Sequence, residues 1–510
     1  MSIFLSRWWI GTVGLVVIAL AAPRGAHGKA VPDDLDAYIG RGMEQWHVPG
    51  LAIAVVKEGE VVLARGYGVR EAGRPEPVDA DTLFAIGSTT KAFTATAIGT
   101  LVDAGKLAWD AHVAQLWPEF RLSDPWVTKE IRVSDLLANH SGLSPLSELL
   151  WYGTGYDRAE ILRRLAAVPL DEGFRYRFGY RNTMFLAAGE LIPKVDGRSW
   201  DEYVARVLFE PLGMERTFAT EAGIDTKENV ARPHLIDYEG APVAIAYRDM
   251  ANIAPAGSII SSVRDMARWV GLNLAEGKAG DRQIVQPATL RFIHRSQTPL
   301  GTTGPNDQPL FPGTELPAYA LAWVTESYRG ARIVWHNGGI DGMSAWVGFL
   351  PDRQLGVVIL SNLENCDLRK AIFYHLADHA LGGKGEDLTP RLLQVHREAL
   401  ASRDQEEKTW RELGKNRVTA ELALEKYAGR YAHPALGEVE IAFEKDGLSY
   451  RRTREQQLDL RASEKNRFLG RYEAAAEDLR SGKVNLVFSV EEGRAAQFVE
   501  DGLATFRRVE

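Results

Sequence analysis

Ser88 and Lys91 stand three residues apart in Ile86-Gly87-Ser88-Thr89-Thr90-Lys91, where a stretch of helical character opens. Positions i and i+3 share a helix face, so the hydroxyl and the amine would lie side by side on the first turn. A serine hydroxyl attacks poorly until a neighbour takes its proton. A lysine can take it when apolar or cationic surroundings lower its pKa. The helix N-terminus adds free N–H groups and a positive dipole end, both suited to a developing oxyanion. The spacing therefore offers an activated nucleophile, although Ser and Lys three apart also occur on many helices for solubility alone.

Two further groups could complete such a site. Tyr180 and Asn182, in Phe178-Gly179-Tyr180-Arg181-Asn182, follow a glycine and precede a helix, and their spacing points both to one side of a loop. A tyrosinate held by a lysine could serve as general base. The Asn amide can donate to a substrate and accept from an ammonium. His336-Asn337-Gly338-Gly339 stands at the end of a strand-like run. Its glycines would let a ligand approach the backbone and lie along the strand edge. The Gly339 N–H could then join that of Ser88 around an oxyanion.

These groups need elements to hold them. Residues 51–57 and 61–64 read as a hairpin about Glu58-Gly59-Glu60. Residues 88–104 read as a helix with Phe93, Ala97 and Leu101 on its buried face. Helices are expected over 131–139, 156–167, 183–195, 200–209 and 262–276, and an exposed Gly/Pro/Thr-rich loop over 301–317. Four strand-like runs, 319–326, 332–336, 343–350 and 355–361, suggest one antiparallel sheet, which a helix over 371–381 could cover. Past Gly382 the character shifts. A charged helix over 389–413 reads as a connector, and short alternating runs from 439 to 499 read as a small all-β barrel.

The chain has 510 residues, 45% hydrophobic and 25% charged, which suits a soluble protein of two or three domains. Arg7, an apolar run over 8–22, and small residues before Gly28 read as an export signal cut near that glycine. The run falls short of the ~20 residues a spanning helix needs, and an uncleaved anchor is the competing reading. The formal charge is −8, and no basic block exists to engage nucleic acid or an anionic membrane. Cys366 is the only cysteine, so no internal disulfide can form, and it reads as a small buried hydrophobe. His375 and His379 are four apart but lack the Glu of the helical zinc-protease motif, and no Gly-x-Ser-x-Gly elbow is present.

Taken in order, Ser88-x-x-Lys91, Tyr180-x-Asn182 and His336-x-Gly338 resemble the serine β-lactamase and penicillin-binding-protein superfamily, nearest its class C-like branch. That branch includes D-alanyl-D-alanine carboxypeptidases, D-aminopeptidases and family VIII esterases. The segments Asn139-His140-Ser141-Gly142-Leu143, Pro211-Leu212-Gly213-Met214 and Ile359-Leu360-Ser361-Asn362 are also similar. The resemblance covers about residues 32–380. It implies an α+β fold, an antiparallel sheet flanked by helices plus a helical subdomain. The C-terminal segment resembles the lipocalin-like β-domain appended to such hydrolases. The implied organisation is a signal peptide (1–28), a hydrolase domain (29–385), a helical linker (386–420) and a small barrel (421–510).

By the same resemblance Ser88 is the acylated nucleophile and Lys91 with Tyr180 the proton-transfer pair. Asn182, His336, Gly338 and Gly339 bind substrate, and no metal or organic cofactor is expected. The implied protein is an exported, periplasmic or extracellular serine hydrolase of peptide amides (D-amino-acid or muropeptide type) or carboxylic esters. Its partner would be a small molecule or short peptide, with no nucleic acid and no stable membrane insertion. One departure matters: β-lactamases of this branch usually carry Lys-Thr-Gly where this chain has His336-Asn337-Gly338. A histidine is mostly uncharged at neutral pH, which favours peptidase or esterase activity over β-lactam hydrolysis. A non-catalytic peptide- or glycan-binding protein is the reading from another class.

Overall fold

The computed structural model describes residues 31–509 apart from 172, 302–312, 384, 416–417, 445–446, 453–456 and 472–482. The expected export segment and most of the expected 301–317 loop lie outside the described residues.

An eight-stranded antiparallel sheet organises the hydrolase part. Its strands are β1 (Gly50–Lys57), β2 (Glu60–Gly68), β3 (Thr298–Pro299), β4 (Thr314–Tyr319), β5 (Val324–Tyr328), β6 (Ala331–Ile340), β7 (Met343–Leu350) and β8 (Leu355–Ser361). Their order is β2-β1-β8-β7-β6-β5-β4-β3, with Val55 opposite Val357 and Val347 opposite Val358. The central strands β1, β7 and β8 are mostly apolar and buried but for Lys57, because both faces are covered. Alternate residues of β1 go opposite ways. Leu51, Ile53 and Val55 join the helices Leu35–Trp46 (α1) and Leu368–Ala380 on one face. Ala52, Ala54 and Val56 face the core that holds helix Val263–Leu274. The helix at 371–381 was expected to cover this sheet, and it does so from Leu368 onward.

Helix α2 (Thr90–Asp103) runs through the centre of the helical part, entered through a 3₁₀ turn at Gly87–Thr89. More than the expected Phe93–Ala97–Leu101 stripe is covered: every residue from Thr90 to Leu101 is buried. Two of its threonines find carbonyl acceptors, Thr94 on Pro255, 161 residues along the chain, and Thr96 on Ala92 one turn back. Helix α3 (Asn182–Asp196) packs against it.

Several expected elements differ. Residues 131–139 are not a helix but a 3₁₀ turn at Ser134–Leu136. The Asp135 carboxylate accepts from the Arg132 N–H at 2.7 Å and from His140, and Asn139 adopts a left-handed φ of 52°. Such side-chain bonds give the backbone an alternative to the helix. The run 319–326 is a hairpin rather than one strand: β4 ends at Tyr319, and Ala320 donates to the Trp323 carbonyl across the turn into β5. Residues 314–317, expected as loop, belong to β4, whose register is irregular between Glu315 and Ala318, where Pro317 is tolerated. His336-Asn337-Gly338-Gly339 lies inside β6, which continues to Ile340, and not at its end.

The charged helix Thr389–Lys415 (α4) is partly anchored: Leu392 and Leu393 pack with α1, and the Arg461 guanidinium lies 4.0 Å from the Trp410 ring. Beyond it, eight strands from Gly429–His433 to Ala504–Arg508 close into a barrel with neighbours in sequence order. The barrel is filled by rings: Phe488 stands 5.1 Å from Tyr427, 5.4 Å from Phe468 and 5.2 Å from Phe498. It docks on the helical part, where Tyr156 donates to the Leu436 carbonyl (2.9 Å) and Arg164 to that of Ala435 (2.8 Å). Among the described residues no helix is long and apolar enough to cross a membrane, and no group of three or more metal-ligating side chains gathers. His375 instead stacks on Tyr38. Cys366 is fully buried, as expected, and burial pushes its thiol up to about 11.

Candidate active site

All seven candidate residues meet where α2, α3 and β6 converge. Lys91 is wholly buried, and its Nζ has three oxygen neighbours: Ser88 Oγ at 3.0 Å, Asn182 Oδ1 at 2.6 Å and the Ala256 carbonyl at 2.7 Å. As an ammonium it donates to all three. As an amine it keeps two N–H groups for the two acceptors that cannot donate, and its lone pair faces the one group that can, the Ser88 hydroxyl. Burial holds its pKa down to about 7, with the Glu148 carboxylate pulling weakly the other way. The amine form is therefore available near neutrality.

Tyr180 sits beside the pair, its ring centroid 4.8 Å from Lys91 Nζ. Burial raises its pKa well above the ordinary phenol value, opposed in part by hydrogen bonding with Ser88. The tyrosinate base considered from sequence is thereby disfavoured, and Tyr180 is a neutral hydroxyl able to pass a proton on. Arg181, between Tyr180 and Asn182, points the other way. Its N–H donates to Asn139 Oδ1 and its Nε to the Leu143 carbonyl, which pins the loop and leaves its two neighbours facing the site.

Glu148 carried no sequence signal, yet it fixes Asn182. Its carboxylate accepts from the Asn182 backbone N–H (2.9 Å) and from Nδ2 (2.6 Å), and also from Trp151 Nε1 (3.0 Å). With the amide nitrogen so held, Oδ1 must face Lys91.

His336 forms part of the opposite wall and is 2% exposed. Its Nδ1 donates to the Asn337 carbonyl and its Nε2 accepts from Tyr319 OH at 3.1 Å. Both ring nitrogens are engaged in the neutral form. Burial first, and nearby Lys91 second, push its pKa down to about 3. Tyr319, also without a sequence signal, joins Phe178, Tyr180 and His336 in an aromatic wall with ring centroids 5.3–6.5 Å apart.

The glycines serve the fold as well as a ligand. A Cβ on Gly338 would lie 2.0 Å from the Ile86 carbonyl oxygen, and one on Gly87 would lie 2.7 Å from the Gly339 nitrogen. Only glycines let β6 press against the turn that carries Ser88, and Gly87 also takes a φ of 51°. Gly339 has open space at its Cβ position. Among the described strands, β5 pairs with β6 only as far as Trp335, so residues 336–340 keep a free edge beside Ser88.

Comparison with known proteins identifies the family. Residues 35–381 match the Beta-lactamase family. The chain belongs to that family. Residues 414–505 match a domain of unknown function, DUF3471, which takes in the described barrel strands but for the end of the last. The chain is 30% identical to an unguisins hydrolase of Aspergillus campestris over 82% of this chain and 79% of that protein. It is 29% identical to penicillin-binding protein 4 of Amycolatopsis lactamdurans over 62% of this chain and 81% of that protein. In fold it is similar to an octameric penicillin-binding protein homologue from Pyrococcus abyssi (TM-score 0.59, 22% identity, 93% of this chain and 99% of that one). This β-lactamase-family protein is accordingly a hydrolase of the serine kind, an antiparallel sheet with helices followed by an all-β barrel.

Proposed function

We propose that this protein is an exported serine hydrolase that forms an acyl-enzyme at Ser88 with uncharged acyl donors, peptide amides or carboxylic esters. The observation that carries the substrate reading is His336: buried, bonded at both nitrogens and neutral, it puts no cation where the branch's β-lactamases usually place a lysine. The apolar stretch within residues 1–28, read as an export signal, supports a periplasmic or extracellular location. The Aspergillus relative, named for hydrolysis of unguisins, supports a hydrolytic role.

The reaction follows from the contacts. Neutral Lys91 accepts the Ser88 proton as Oγ attacks the carbonyl carbon. The oxyanion forms at the Ser88 and Gly339 N–H groups, at the positive end of the helical stretch entering α2. Asn182 holds the new ammonium, and Tyr180 hands a proton to the departing amine or alcohol as the carbon–heteroatom bond breaks, while the ammonium of Lys91 restores the Tyr180 proton and returns to the amine. Water then attacks the acyl carbon and gives its proton to Lys91, which passes it to Ser88 Oγ as the Oγ–acyl bond breaks, releasing the acid and the free serine.

The test is a panel of p-nitrophenyl esters, D-alanyl amides and nitrocefin, with intact-mass spectra of the protein. Ser88→Ala should fold normally, show no acyl adduct and lose on the order of 10⁴-fold or more in turnover. An active Ser88→Ala protein would overturn the mechanism, and nitrocefin turnover equal to ester turnover would overturn the substrate class.

A further inference from the structure

Arg369 lies on the first turn of the helix Leu368–Ala380, 31 residues along the chain from Gly338, and is only 4% exposed. Its Nη1 donates to the Gly338 carbonyl at 3.0 Å, its Nη2 lies 3.4 Å from Asp367 Oδ1, and its Nε has no partner among the described residues. A buried guanidinium left partly unsatisfied costs stability, so packing does not explain it.

The carbonyl it grips belongs to the Gly338–Gly339 peptide. A trans peptide is planar, so its C=O and N–H point opposite ways, and fixing one fixes the other. The N–H of this unit is that of Gly339, whose nitrogen approaches Gly87 and whose Cβ side is open. Neither flanking glycine has a side chain to hold the peptide plane. A positive charge on the carbonyl oxygen also draws electron density through the amide and strengthens the N–H as a donor.

We infer that Arg369 is a positioning residue: by bonding the Gly338 carbonyl it aims and polarises the Gly339 N–H toward the oxyanion formed on Ser88. It acts through the peptide. The inference rests on the acyl-enzyme reading above and extends it to a side chain on the far face of the sheet.

The experiment compares p-nitrophenyl acetate with p-nitrophenyl thionoacetate on full-length wild type, Arg369→Met and Arg369→Lys. An oxyanion hole set for oxygen serves the larger, weaker-accepting sulfur poorly. Loss of its alignment should therefore slow the oxo ester selectively. Arg369→Met should lower kcat/KM for the oxo ester by about 10- to 100-fold, chiefly in kcat, and that for the thiono ester by less than about threefold. Arg369→Lys, with the charge but without the planar fork, should fall between, and it carries the comparison should the Met variant fail to fold. Equal losses on both esters, or none, would overturn the inference. Mass spectra separate it from the reading beneath it: a wild type never acylated at Ser88 removes the mechanism, whereas acylated wild type with unchanged Arg369 variants removes only this role.

Discussion

Lys91 as an amine has two hydrogens and a lone pair, and its three oxygen neighbours include only one that can donate. That match suits the residue to the base role proposed for it near neutral pH, and it sets the direction of the pH dependence. Activity needs the amine, so kcat/KM should fall as pH drops through about 7, the value burial gives Lys91. The Glu148 charge raises that value, so Glu148→Gln should move the acid limb to lower pH. The variant should also lose some plateau activity, because one of its amide faces meets the Asn182 or Trp151 N–H groups donor to donor. His336, held near 3, should contribute no limb around neutrality, and His336→Gln should leave the limb where it is. Profiles of the three proteins on one neutral ester check this; a limb that vanishes with His336 would assign the titration to the wrong group.

The elements carry these residues by close approach of two backbones, β6 and the turn before α2. Gly338 and Gly339 should therefore respond differently to the same methyl group. Gly338→Ala sets a Cβ against the Ile86 carbonyl, and moving backbone aside is expected to cost about 1–3 kcal/mol, with a lower Tm and slower acylation together. Gly339→Ala meets open space, so its Tm should stay near wild type while kinetics change at the substrate edge. Thermal melts beside burst-phase acylation distinguish the two, and equal Tm losses would show that both glycines serve packing alone. The helix expected over 131–139 belongs at this scale too. Asp135 and Asn139 spend their side chains on local backbone and on the loop of Tyr180, and a helix there would leave Arg181 without its acceptor.

At the scale of the molecule, the described contacts link the barrel to the site through the segment it grips. Tyr156 and Arg164 hold its 435–436 turn, and the same stretch of chain begins with Glu148, which orients Asn182. No barrel residue touches Ser88 or Lys91 among the described contacts. Deleting residues 421–510 should thus leave Ser88 reactive toward a small acylating probe, lower the Tm, and alter rates on larger substrates. A folded truncation that cannot be acylated would place part of the catalytic machinery in the barrel.

The sequence by itself determined the chemistry, because the reacting groups come in short local spacings. Ser88 with Lys91 and Tyr180 with Asn182 are each set by a single turn of backbone, and the glycines after His336 announce a close approach. The covered sheet and the closing barrel were legible for a similar reason: apolar runs and period-2 alternation are local patterns. What only the tertiary structure decided is what stands against those groups. Glu148, Tyr319 and Arg369 are an ordinary glutamate, tyrosine and arginine in the chain, and they matter because folding sets them on Asn182, His336 and Gly338. The preference for lysine over tyrosinate as the proposed base arises the same way. Burial and the count of acceptors around Nζ are properties of the packed interior, and no spacing along the chain encodes a dielectric environment.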